Sequence, residues 1–155
     1  MDGQVVFGVV YNPFTEECFT AQRGKGAFVN GKRLSVSKRS LSESIIEFGA
    51  GSTRKHEADK SFELGKEIFK RCVDIRRICS SALDLCFIAA GRIDGYFESN
   101  LKPWDYAAGS LILSEAGGKT TDFDGNEIPM DVPSSIICSN GIIHDELREL
   151  INTYR

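Results

Sequence analysis

The sequence predicts a layered α/β fold, with antiparallel hairpins first and then a mixed sheet covered by helices. Two observations carry this. The first 36 or so residues are short apolar runs separated by turn residues. From about residue 44 the rhythm changes, and short apolar strands alternate with segments of helical length and period. A chain of 155 residues can bury a sizeable core. The division expected is residues 1–40 as antiparallel strands closing a sheet-bearing unit and 41–155 as an α/β unit.

The elements follow in order. Residues 4–11, QVVFGVVY, read as a buried strand closed by the turn signal Asn12-Pro13. ECFTAQ is the next strand. In AFVNGKRLSV, Asn30-Gly31 lies between two strand-like runs, and both residues tolerate the positive φ of a tight hairpin turn. SIIEFG is a short strand. HEADKSFELGKEIFKRC reads as an amphipathic helix with Phe62, Gly65, Phe69 and Cys72 on its inward face. DIRRI is a strand, and SSALDLCFIAAG a helix capped by Ser80 or Ser81 and ended by Gly91. DGYFES is a strand, and DYAAGSLILSEA a helix ended by Gly117-Gly118. GKTTDF and SIICSN follow as strands. HDELRELINTY is the last helix, with Leu147, Leu150 and Ile151 facing inward. Asp2-Gly3 is a hairpin-turn dipeptide with only Met1 ahead of it. A hairpin needs a strand on both sides, so an upstream strand is expected outside this chain.

Composition narrows the function. With 41% hydrophobic and 26% charged residues the chain has the balance of an ordinary folded protein. A net charge of −3, with Arg76-Arg77 and Lys38-Arg39 as isolated pairs, lacks the basic stripe of a nucleic-acid binder. No apolar run has the length of a membrane span, and the N-terminus lacks a signal-peptide pattern, so the cytoplasm is expected. The five cysteines are odd in number and form no C-x-x-C pair, which points to buried free thiols. His56 and His144 stand in polar helix starts and read as surface residues. TDFDGNE lacks the spacing of a calcium loop and reads as a β-turn.

Three places could carry chemistry. Pro103 and Trp104 resist helix, so the third helix should begin near Asp105, a favoured cap. Capping explains Asp105 by itself. The helix behind it, though, is apolar on nearly every side and should open at a crevice, where the carboxylate could instead be a ligand. Glu98 ends the DGYFES strand on the same face as Tyr96. It is either a solvated strand end or a second carboxylate at the same mouth. Ser80 and Ser81 start a helix, as caps or as the place where free N–H groups meet an anion.

ALDLCFIAAGRIDGYFESNLKPWDYAAGSLILSEAGG resembles the C-terminal signature region of the inositol monophosphatase family, and GVVYNPFTEECFTAQRGKGAFVNGKRLSVS is similar to the hairpins in the middle of that family. The resemblance implies the C-terminal half of an α-β-α-β-α sandwich and a Mg2+-dependent, lithium-sensitive phosphomonoesterase. Such an enzyme hydrolyses a sugar or cyclitol monophosphate with a metal-activated water. It implies that Asp105 ligates Mg2+, that Glu98 binds substrate hydroxyls, and that Cys79, Ser80 and Ser81 line the substrate. Glycine is expected where Cys79 stands and often alanine where Ser81 stands. The family's other metal ligands belong to a glutamate segment and an Asp-Pro-x-Asp-Gly-Thr motif, and nothing here matches either. No further catalytic group is assigned, and the chain alone is expected to be inactive, with the remaining Mg2+ ligands upstream. Alternatives are fructose-1,6-bisphosphatase or histidinol-phosphate phosphatase activity, or a non-catalytic interaction module. A homodimer, a small phosphorylated substrate, and neither nucleic acid nor membrane are the expected partnerships.

Overall fold

A computed structural model describes residues 3–50 and 55–155. Asp2, and with it half of the Asp2-Gly3 turn reading, lies outside the described residues.

The first sheet is an antiparallel meander of β1 (Phe7–Asn12), β2 (Glu17–Gln22), β3 (Gly26–Val29) and β4 (Lys32–Arg33), in that spatial order. Asn30 and Gly31 turn between β3 and β4 at φ 47° and 79°, as the dipeptide predicts. β1 corrects the expectation of a buried strand. Its apolar residues alternate, and Phe7, Val9 and Tyr11 are 59%, 47% and 56% exposed. All three lie on one face because the side-chain period of a strand is two.

The second sheet has the order β6-β5-β7-β9-β8. β5 (Ile45–Phe48) runs parallel to β6 (Asp74–Arg76) and β7 (Gly95–Leu101). β9 (Ser134–Ser139) is antiparallel to β7 and β8 (Lys119–Thr121). The sheet is therefore mixed, as the alternating pattern requires. The described residues also form four α-helices, α1 (Ala58–Phe69), α2 (Ser81–Ala89), α3 (Pro103–Glu115) and α4 (His144–Tyr154), and two short 3-10 turns at Leu41–Glu43 and Lys55–Glu57.

α2 and α3 lie between the two sheets, and α1 and α4 pair on the far side of the second. The inner layer joins Phe19 and Ala21 of the first sheet to Leu85, Ile112 and Ile136. The outer core joins Ile46, Phe48 and Ile137 to Ile68, Leu147 and Ile151. Each of these fully buried aliphatic side chains contributes about 1.5–3 kcal/mol. The first sheet lies close on α3. A Cβ on Gly8 would come 2.9 Å from the Ala108 carbonyl oxygen, so only glycine lets β1 approach this near.

Four local expectations change. The inward stripe of α1 is Leu64, Gly65 and Ile68, whereas Phe62 and Phe69 are half exposed. The stripe is rotated because Leu64 and Ile68, one turn apart, take the face toward the sheet, and Phe62 packs edge-on against Phe48 at its margin. Leu147 and Ile151 of α4 are buried and Leu150 half-buried. His144 is not on the surface but 1% exposed. Its Nδ1 meets Ser139 Oγ at 2.9 Å and its Nε2 meets Thr121 Oγ1 at 3.0 Å, so both ring nitrogens are satisfied inside. All five cysteines are free, but only Cys86 and Cys138 are buried; Cys18 and Cys72 are half-buried and Cys79 is exposed. His56 is exposed, as read, and Asp122–Asn126 forms the expected turn with Gly125 at φ 93°. Among the described residues no helix is long and apolar enough to cross a membrane.

Candidate active site

The site residues gather where β7 ends and α2 and α3 begin. Asp105 stands at the third position of α3, not at its cap. Pro103 occupies the first helical position, where its missing N–H has no partner to lose. Asp105 Oδ2 accepts the Lys102 N–H at 2.9 Å and so closes the helix start from inside. That bond uses one of its two carboxylate oxygens, and the side chain lines a pocket of about 190 Å³.

Glu98 reaches the same pocket from β7. The strand loses register between Glu98 and Leu101, an irregularity that re-aims side chains next to a site. Glu98 Oε2 accepts the Tyr96 hydroxyl at 2.6 Å, and that hydroxyl lies 2.9 Å from Ser81 Oγ. The alternation that put Tyr96 and Glu98 on one face therefore yields a direct bond. Gly49, just after β5, makes the room. A Cβ there would stand 2.0 Å from Glu98 Oε2, so any larger residue evicts the carboxylate.

The start of α2 forms the third wall. Ser80 is the cap by backbone geometry, but its hydroxyl makes no capping bond, and its carbonyl accepts the N–H groups of Leu83 and Asp84. The N–H groups of Ser81 and Ala82, ahead of those two, have no intrahelical acceptor, which favours negative charge there. Cys79 is exposed and sits at φ 66°, a region a side chain enters at a cost of about 1–3 kcal/mol. That backbone explains why glycine is the residue expected at this position.

Cys79, Ser81, Glu98 and Asp105 thus line one pocket, while Ser80 caps the helix outside the lining. Sequence reasoning missed Asp84 and Arg77, which line it too. Arg77 lies over the rings of Phe48 and Phe62, 5.4 and 5.8 Å from their centroids. Asp84 is 2% exposed, and burial, followed by its contact with Glu47, pushes its carboxyl up to about 9. An acid inside SSALDLCFIAAG, three residues after Ser81, was the signal available for it. A larger groove of about 840 Å³, bounded by α3 and residues 127–131, holds none of these side chains.

Among the described lining residues carboxyl groups outnumber cations, Asp84, Glu98 and Asp105 against Arg77, so these side chains alone would repel a phosphate ester in the absence of a bound cation. Asp105 can offer an oxygen to one. The described residues contain no group of three or more acids, cysteines or histidines that could hold a metal, so they do not complete a Mg2+ site.

The family model of the inositol monophosphatase family matches residues 1–155. The chain belongs to that family. It is 41% identical over 150 residues to an inositol-1-monophosphatase of Rhizobium meliloti (strain 1021), covering 96% of this chain and 56% of that protein. It is 43% identical over 139 residues to Nus factor SuhB of Escherichia coli (strain K12), covering 89% and 52% respectively. Among solved structures, an inositol monophosphatase from Anabaena superposes with TM-score 0.92 at 35% identity, covering 100% of this chain and 62% of its own. The Thermotoga maritima IMPase superposes with TM-score 0.89 at 38% identity, covering 99% and 58%. The inositol monophosphatase fold expected from the sequence is thus the fold observed. The chain spans about half the length of the curated relatives it matches.

Proposed function

We propose that this chain supplies the substrate-recognition wall and one metal ligand of a Mg2+-dependent phosphomonoesterase acting on a sugar or cyclitol monophosphate. One observation carries the reading: Asp105, Glu98 and the start of α2 converge on a single pocket from three separate elements. Glu98, held by Tyr96, accepts hydroxyl groups of the substrate. The first-turn N–H groups of α2 meet its anionic or polar edge. Asp105 offers an oxygen to Mg2+, whose chemistry when bound is to neutralise phosphate charge and activate water. One such carboxylate is too few for an octahedral ion, so the 155 residues alone have little or no activity.

The test is a chimera. The part of the Rhizobium meliloti relative that lies outside the match is joined to this chain, and phosphate release is followed with inositol 1-phosphate, fructose 1,6-bisphosphate and histidinol phosphate. Mg2+-dependent release that Asp105→Asn abolishes supports the reading, and the preferred ester names the substrate. Clear turnover by the 155-residue chain alone would overturn its inactivity. No hydrolysis of any ester by a folded chimera would favour the second reading, an interaction module. That reading is supported by the exposed apolar face of β1 and by relatives named as Nus factors.

A further inference from the structure

Beneath the pocket, two acids are buried against each other. Glu47 comes from the centre of β5 and is 1% exposed; Asp84 comes from the first turns of α2 and is 2% exposed. Their carboxyl groups are within hydrogen-bonding reach of one another. Each also has a buried oxygen with no donor, Glu47 Oε2 and Asp84 Oδ1, and among the described residues no other buried side-chain atom is left this way.

Asp94 shows the donors that another buried acid in this fold receives. It takes the Arg39 guanidinium, the Ser37 hydroxyl and the Ile45 N–H. The Glu47–Asp84 pair has no such set. Two carboxylates cannot hydrogen-bond each other, whereas a carboxylic acid and a carboxylate can. One retained proton gives the pair a donor of its own and removes one of two like charges from a dry site.

The neighbours decide which acid carries the proton. Arg76 faces Glu47 and favours its charge, while Glu98 faces Asp84 and disfavours a second charge there. Tyr96, Cys86 and Cys138 also feel Asp84 and are kept neutral by burial, while the charged Arg77 and Asp105 share the pocket lining with it. Asp84 lies one helical turn after Ser81, whose hydroxyl meets the Tyr96 hydroxyl that donates to Glu98.

We propose that Glu47 and Asp84 hold one proton between them, carried on Asp84, and that Asp84 in this form is a positioning residue for Glu98. With the proton in place, Glu98 faces a neutral neighbour and stays in its bond to Tyr96. With the proton lost, two carboxylates confront each other across the pocket floor, and the Ser81–Tyr96–Glu98 line is driven apart. The role rests on the reading of Glu98 as the acceptor of substrate hydroxyls. The shared proton itself does not.

The experiment is a carbon-13 titration of the side-chain carboxyl resonances in the 155-residue chain. One resonance of the pair should remain protonated through neutrality and titrate near the value set by burial, about 9 for Asp84. The Glu98 resonance should inflect at that same pH. Asp84→Asn, whose amide donates to Glu47 as the acid does, should keep the neutral-pH Glu98 signal and abolish the alkaline inflection. Asp84→Ala should displace the Glu98 signal at all pH values. A purely packing role would leave Glu98 silent at the pair's midpoint, and that result overturns the positioning role. Ionisation of both acids in the ordinary carboxylate range overturns the shared proton. So does a midpoint that moves when sodium chloride replaces choline chloride, because the pair would then hold a cation. The wild-type titration decides this even if a variant does not fold. No readout uses turnover, so a failed phosphatase assay leaves the outcome untouched.

Discussion

The two sheets of this chain are built from similar strands and end in different environments. In the second sheet, Ile46 and Ile137 are completely buried, because helices cover both faces. In the first, Ala21 and Phe19 are buried against the inner helix layer, but Phe7, Val9 and Tyr11 face water on the other side. Apolar residues on both faces of a strand are the pattern of a sheet covered on both faces, and β1 has that pattern with one face exposed in this chain. The second sheet therefore supplies buried residues to both core layers, whereas the first reaches only the inner one and is held to it mainly through α3.

Five predictions break or sharpen that contrast. The largest effect is expected from Ile137→Ala, which should cost about 2–5 kcal/mol in urea unfolding, against less than about 1 kcal/mol for Val9→Ala. Equal losses at the two positions would mean that the outer face of β1 is covered in solution. Next is Glu115→Ala. The Glu115 carboxylate accepts the N–H groups of Gly24 and Gly26, each at 2.7 Å, and so ties the end of α3 to the hairpin between β2 and β3. Its loss should cost about 1.5–3 kcal/mol. Hydrogen exchange should quicken in β2 and β3 while β7 and β9 stay protected; uniform acceleration would mean the sheets unfold as one.

Two buried groups on the second-sheet side give the stability opposite pH limits. Burial, followed by Glu47, raises Asp84 from 3.8 to about 9, so across that window the folded chain holds a proton the unfolded chain has lost. Stability should fall as pH rises through it, by at most about 1.4 kcal/mol per unit, and Asp84→Asn should flatten the slope. Burial, helped by Lys119, lowers His144 from 6.5 to about 4, so there the unfolded chain holds the extra proton. Stability should fall as pH drops through that range, and His144→Gln should remove this limb of the thermal-unfolding profile. The smallest effect is expected at Phe14, 96% exposed in the turn after β1. Phe14→Ser should change stability by less than about 0.5 kcal/mol.

The order of elements was legible because each strand and helix is punctuated. Asn30-Gly31 marks a turn that only certain residues can make, and Gly91 and Gly117 end helices at φ 68° and 92°. Asp105 and Glu98 were legible as candidates because a carboxylate beside an apolar run is unusual, and their proposed roles come from the resemblance to the family signature. What local rules could not supply was the third dimension. Pro103 looked like a helix breaker, yet the first turn has no use for its N–H. His144 looked exposed because its sequence neighbours are charged, but its partners Ser139 and Thr121 come from β9 and β8. Asp84 was passed over within its helix, and its meaning comes from Glu47 on β5.

Gly49 and Glu98 stand far apart in the chain and occupy almost the same space. In terms of inheritance they are expected to behave as one position. A side chain at 49 requires Glu98 to swing away or shorten, and either change breaks its bond to Tyr96. Lineages that retain the carboxylate are therefore expected to retain the glycine, and those that lose one should lose the other soon after.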